Sequence, residues 1–326
     1  MVATGINRIG NESPSILQSY PFNENKQENI TMRLNRLLVP TASAGNEPKK
    51  PHRIAYTDWG DPENPHVVVC VHGLTRNCRD FDYLARALQN DCRVICVDVV
   101  GRGQSDWLEH ADDYDYYPLY LSDAIALITY IKAQYTVPMT LDWVGISMGG
   151  LIGMMLTIQP NLPVSADKLV ISDIGPLIPA IALKRIAEYV GKDPRFQSFD
   201  EFKAYMKMIS ASFGPLTEEQ WNHLAMYSVR EYSDGSMGFR YDPSLAISFK
   251  THEIKDIDLW MYWDKLTTPT LVLRGMESDI LSAETAAQME IRGAKAKVIE
   301  LAGVGHAPML VDAAQIDIVR DFILSA

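Results

Sequence analysis

The chain has 326 residues, 47% of them hydrophobic, and carries a formal net charge of −11 at pH 7. So much apolar side chain excludes a disordered or fibrous polypeptide and suffices for one large α/β domain or two average ones. The negative charge, uninterrupted by any strongly basic patch, argues against nucleic acid or an anionic membrane surface as a partner.

Residues 1–50 are rich in Asn, Glu, Ser and Pro, close on Asn46-Glu47-Pro48-Lys49-Lys50-Pro51, and read as an N-terminal arm or tail. Residues 53–57 read as a strand and the Asp61-Pro62-Glu63-Asn64-Pro65 cluster as the turn after it. Residues 66–71 are an unbroken, β-branched apolar run, the pattern of a strand buried on both faces in a parallel sheet. Residues 80–88 then carry Phe81, Leu84, Ala85 and Leu88 at helical spacing, and residues 93–97 are again a buried strand. The alternation continues with a helix over 122–133, a strand over 140–144, an apolar helix over 148–158 and a strand over 168–171. Such a series predicts a parallel sheet flanked by helices. From about 175 to 265 the rhythm breaks into helical segments rich in Trp and Tyr, and strands and helices resume at 270–273, 283–291, 297–301 and 313–324. The expected organisation is one α/β core, residues 51–174 and 266–326, with a helical cap over 175–265.

Gly145-Ile146-Ser147-Met148-Gly149 matches the Gly-x-Ser-x-Gly nucleophile elbow and falls between a predicted strand and a predicted helix. Glycines are needed there because the serine sits on a sharp turn where neighbouring side chains would collide with the strand and helix. A serine hydroxyl is a weak nucleophile near neutral pH, so a base must take its proton during attack. His306, in the glycine-containing loop Gly303-Val304-Gly305-His306-Ala307-Pro308, is the candidate. A carboxylate must hold that imidazole in one tautomer. Asp279, in the loop after the strand at 270–273, is expected to do so, with Glu277 beside it and Asp173 after the strand at 168–171 as rival carboxylates. The backbone N–H groups of Met148 and of Leu74, which follows His72-Gly73, are expected to form the oxyanion hole. His72 is then expected to shape that loop, and Asp98, in Asp98-Val99-Val100-Gly101-Arg102-Gly103-Gln104-Ser105, to organise a tight turn.

On these motifs the chain from about Arg53 onward resembles the α/β-hydrolase family, in its lidded group of carboxylesterases, lactonases and carbon–carbon bond hydrolases. The resemblance implies a serine hydrolase that works without cofactor or metal, with a lid between the sixth and seventh strands. The expected reaction is cleavage of a carboxylic ester or lactone through an acyl-serine. Carbon–carbon cleavage of a vinylogous diketone acid, acyl transfer to another acceptor and a non-catalytic binding role are the alternatives. Trp221, Tyr227, Arg230 and Trp260 are candidate substrate contacts within the cap, and Arg76 is a second candidate cation. The expected partner is a small ester, and homo-oligomerisation is left open. Cys70, Cys78, Cys92 and Cys96 lack paired spacing and read as reduced, mostly buried thiols. No apolar run nears the roughly 20 residues of a membrane span, and no secretory signal is evident at the N-terminus, so a cytoplasmic location is expected.

Overall fold

A computed structural model describes residues 32–42, 49–115 and 117–325. The chain enters through two strands, β1 (Met32–Val39) and β2 (His52–Trp59). It then alternates through β3 (His66–Val71), α1 (Asp82–Leu88), β4 (Arg93–Asp98), α2 (Pro118–Lys132), β5 (Thr140–Ile146), α3 (Met148–Thr157) and β6 (Lys168–Ser172). An insertion follows, built from β7 (Leu177–Ile178), α4 (Ala180–Ala187), α5 (Phe199–Ile209), α6 (Glu218–Ser228), β8 (Val229–Glu231), β9 (Met237–Phe239), α7 (Ile247–Thr251), β10 (Ile257–Asp258) and α8 (Trp260–Trp263). The chain returns to the main sheet with β11 (Thr270–Gly275), α9 (Ala283–Ile291), β12 (Lys297–Leu301) and α10 (Ala313–Leu324).

The main sheet has eight strands in the order β1-β2-β4-β3-β5-β6-β11-β12. The first two run antiparallel to their neighbours and the rest are parallel. Period-two alternation sends Val67, Val69 and Val71 of β3 into the core on one face, while Val68 and Cys70 enter the core on the other. Helices α2 and α3 pack on the first face, α1 and α10 on the second. That double burial is why the central strands read as continuous apolar runs. All four cysteines are free and buried.

Two expectations require correction. Part of the 1–50 arm belongs to the sheet: β1 pairs with β2 from Met32↔Trp59 to Val39↔His52. As an edge strand it buries only Leu37 and Val39, too few apolar positions to stand out from a polar segment. Residues 1–31 and 43–48 of that arm lie outside the described residues. The segment over 175–265 is also not wholly helical, because β7 pairs with β10 and β8 with β9. At two or three residues each, these strands are too short to leave a periodic signal. No helix among the described residues is long and apolar enough to cross a membrane.

Candidate active site

Strand β5 delivers Ser147 to the carboxyl edge of the sheet, where the chain reverses into α3. Ser147 has φ 51° and ψ −115°, a left-handed conformation that a non-glycine residue holds only under constraint from its surroundings. The constraint is close packing. A Cβ on Gly149 would lie 1.9 Å from the Val71 carbonyl oxygen, and one on Gly145 would lie 2.2 Å from the Gly149 carbonyl carbon. The Ser147 amide donates to the Ser172 carbonyl at 2.9 Å, tying the elbow to β6.

His306 approaches from the loop after β12, with Nε2 at 2.9 Å from Ser147 Oγ. Its other ring nitrogen, Nδ1, lies 2.8 Å from Asp173 Oδ2. The loop is held by the insertion, since Gly305 N–H donates to the Ser212 carbonyl and the Ser212 hydroxyl to the His306 carbonyl. Asp173 follows β6, is fully buried, and also accepts from the Gly275 amide at 2.8 Å and the Ser278 hydroxyl at 2.6 Å. An acceptor-only carboxylate in that setting fixes the tautomer with hydrogen on Nδ1 and leaves Nε2 free to receive the serine proton.

The expectation that Asp279 orients the histidine is therefore corrected. Asp279 is turned outward, with its carboxylate on Arg185 Nε and Nη2 at 2.5 and 2.9 Å. The loop after β11 supplies Ser278 to the site instead, as a donor to Asp173. Glu277 is exposed.

The amides of Leu74 and Met148 have no protein acceptor among the described residues. Arg102, fully buried, spans the two segments that carry them: Nε donates to the Leu74 carbonyl at 2.9 Å, Nη1 to the Val100 carbonyl at 2.6 Å, and Nη2 lies 3.5 Å from Met148 Sδ. His72 is fully buried, with Nδ1 donating to the Gly73 carbonyl at 2.7 Å and Nε2 accepting from the Val99 amide at 3.0 Å. Burial, with Arg102 and Arg76 nearby, pushes its pKa down to about 3, so His72 is a neutral brace of the loop. Asp98 caps two amides, those of Cys78 and Gln104, at 2.7 and 2.8 Å, and burial pushes its pKa up.

Above Ser147 and His306 lies a small cleft that opens to solvent. The core contributes Gly73, Leu74 and Ile146; the insertion contributes Ile186, Met206, Ile209, Phe213 and Phe239.

Residues 68–317 match the model of the alpha/beta hydrolase family. The chain belongs to that family. It is 45% identical to the 3-hydroxybutyrate-oligomer hydrolase of Cupriavidus necator over 283 residues, 84% of this chain and 94% of the relative. A solved structure from Rickettsia typhi superposes with a TM-score of 0.81 at 30% identity, covering 89% of this chain and 98% of the other. An alpha/beta hydrolase from Novosphingobium aromaticivorans superposes with a TM-score of 0.74 at 33% identity, covering 90% and 98%.

The four side chains of this hydrolase expected to touch substrate lie outside the cleft wall. Trp221 is buried and stacks on Phe213, ring centroids 6.2 Å apart. Tyr227 lies under the Arg79 guanidinium at 3.8 Å, where α6 docks on the core. Arg230 lies over Trp107 at 4.4 Å, and Trp260 lies under Arg292 at 3.9 Å. These aromatic residues thus hold the insertion together and onto the sheet, while Ile186, Met206, Ile209, Phe213 and Phe239 face the cleft together with Arg185, Tyr189, Ser210 and Ser212. Arg76 does line the cleft, but is bound to Asp80. Sequence reasoning left Arg102, Ser212 and Ser278 unassigned. The first lies within the Gly101-Arg102-Gly103 turn already singled out, and the other two act through loop contacts that leave no periodic trace.

Proposed function

We propose that this hydrolase cleaves carboxylic esters through an acyl-serine intermediate, and that short 3-hydroxybutyrate oligomers are its substrates. The observation that carries the chemistry is the unbroken chain of contacts Ser147 Oγ, His306 Nε2, His306 Nδ1 and Asp173 Oδ2, at 2.9 and 2.8 Å, on the floor of the cleft between core and insertion. The substrate class is carried by the 45% identity to a 3-hydroxybutyrate-oligomer hydrolase along 94% of that relative.

Ser147 Oγ attacks the ester carbonyl carbon as His306 Nε2 takes the hydroxyl proton, and Asp173 stabilises the resulting imidazolium through its Nδ1–H. Negative charge develops on the carbonyl oxygen, and the Leu74 and Met148 amides are the donors for it. Collapse of the tetrahedral intermediate breaks the ester C–O bond, and His306 passes its proton to the departing alkoxide. Water then attacks the acyl-serine with His306 as base, releasing the acid and restoring Ser147. The insertion acts as a lid: it covers part of the cleft and holds the histidine loop through Ser212.

Release of 3-hydroxybutyrate from its dimer and trimer is the direct test, with p-nitrophenyl butyrate alongside. Ser147→Ala should lower both activities by roughly 10⁴-fold or more while the protein stays folded. Retained turnover in that variant would sink the serine mechanism. Ser147-dependent cleavage of p-nitrophenyl butyrate with no cleavage of either oligomer would keep the esterase and remove the oligomer substrate.

A further inference from the structure

Arg185 stands in the wall of the Ser147 cleft, on α4 of the insertion, with Nε and Nη2 on the carboxylate of Asp279. Both members of the pair are partly exposed, at 38% and 42% of their side chains. Exposed pairs of this kind contribute little to stability, which leaves no structural reason to set a guanidinium among Ile186, Met206, Ile209 and Phe213. Arg76, the second cation in the wall, has a different setting. It is 9% exposed, its Nε and Nη2 close on buried Asp80 at 2.9 and 2.6 Å, and its Nη1 lies 3.8 Å from Met206 Sδ. Arg76 is a fixed part of the wall, whereas Arg185 keeps donors to spare.

A guanidinium carries five N–H groups in a planar fork, of which Asp279 engages two. Tyr189, also in the cleft wall, interacts with the same guanidinium. We propose that Arg185 is the subsite for a free carboxylate on the substrate. The cleft would then take esters of hydroxy acids whose terminal unit is ionised, held by their acid end. A planar two-pronged donor matches a carboxylate better than an ester carbonyl does, because the charge-assisted bonds are stronger and both carboxylate oxygens can accept. A local cation is also what a chain of net charge −11 needs if it is to bind an anion. Anchoring the acid end sets which ester bond reaches Ser147, so monomer is released from that end of a longer chain.

The assignment rests on the Ser147 hydrolase reading, and the two can fail separately. The discriminating quantity is kcat/KM for the 3-hydroxybutyrate dimer as free acid divided by that for its methyl ester, measured as cleavage of the internal ester bond. If neither dimer is cleaved, their inhibition constants against p-nitrophenyl butyrate provide the same ratio. The ratio should exceed about tenfold in the native protein. Arg185→Gln should reduce it by roughly 10- to 100-fold, mainly through KM, and Arg185→Lys should restore part of it. Asp279→Asn keeps the guanidinium and removes its competing carboxylate, so its ratio should stay at or above the native one. An unchanged ratio in Arg185→Gln, or an equal fall in Arg185→Gln and Asp279→Asn, would overturn the carboxylate subsite. Ser147-dependent turnover of p-nitrophenyl butyrate alongside such a result would show that the catalytic reading survives it.

Discussion

Asp173 is fully enclosed and accepts from three donors, His306 Nδ1, the Gly275 amide and the Ser278 hydroxyl, so its position is set by the two neighbouring loops together. Replacing it with asparagine preserves the shape but offers an N–H toward Nδ1, which favours the wrong imidazole tautomer. Turnover in Asp173→Asn should fall by about 10³- to 10⁴-fold, and by at least two orders of magnitude more than in Asp279→Asn. Comparable kcat values for the two variants would remove Asp173 from the mechanism. Sequence alone placed both carboxylates after strands, and the choice depended on which loop turns inward. Ser278 decides it: its hydroxyl also accepts from the Ile280 and Leu281 amides, which curls the chain so that Asp279 faces Arg185. Arg102 acts one step further from the reaction. By holding the Leu74 carbonyl and the Met148 sulfur it sets the spacing between the segments bearing the proposed oxyanion donors. Arg102→Lys keeps the charge and loses the fork, so kcat should drop about 10- to 100-fold with KM nearly constant; a change confined to KM would show that the arginine serves binding.

The insertion is packed around an aromatic cluster that is continuous with the core on one face of the sheet. Phe202 of α5 is fully buried, with ring centroids 4.9 Å from Phe239 and 5.7 Å from Phe196. Phe239 in turn lines the cleft, so the packing of this cluster and the shape of the site are one problem. Phe202→Ala should cost about 3–5 kcal/mol, concentrated in the insertion. Limited proteolysis should then cut within residues 196–239 before it touches the sheet, and esterase activity should fall in parallel. Cleavage at native rates with activity retained would mean that the cluster does not support the roof. At this scale the central strands and the elbow were legible because burial on both faces and a steric need for glycine leave strong local patterns. The edge strand β1 was not, with only Leu37 and Val39 buried. Nor were the cleft-facing residues, since a Trp that packs an insertion and a Trp that touches a ligand look alike until the helices are placed.

The eight-stranded sheet has two ends with different tasks. Ser147, Asp173 and His306 gather beyond the carboxyl ends of β5, β6 and β12, while the opposite end is closed by ion pairs that play no part in catalysis. There His66, at the start of β3, reaches across to Asp142 of β5 at 2.7 Å, with Cys92 Sγ 3.4 Å from its other ring nitrogen. The hydrogen bond to Asp142 and the contact with Cys92, opposed by partial burial, push the His66 pKa up from 6.5 to about 10. The sign follows from proton counting. Between pH 6.5 and 10 the folded chain holds a proton on His66 that the unfolded chain has released, so stability falls as pH rises through that window. Below pH 6.5 the contribution is fully present, and on the order of 2 kcal/mol is reasonable for a pair with one member still in contact with water. The difference in urea unfolding free energy between the native protein and His66→Gln should therefore be largest near pH 6 and shrink steadily toward pH 10. Titrating groups that do not touch His66 cancel in that difference. A gap that is flat across the window, or that widens toward alkaline pH, would show that His66 is not protonated in the folded state and that Asp142 is held by other means.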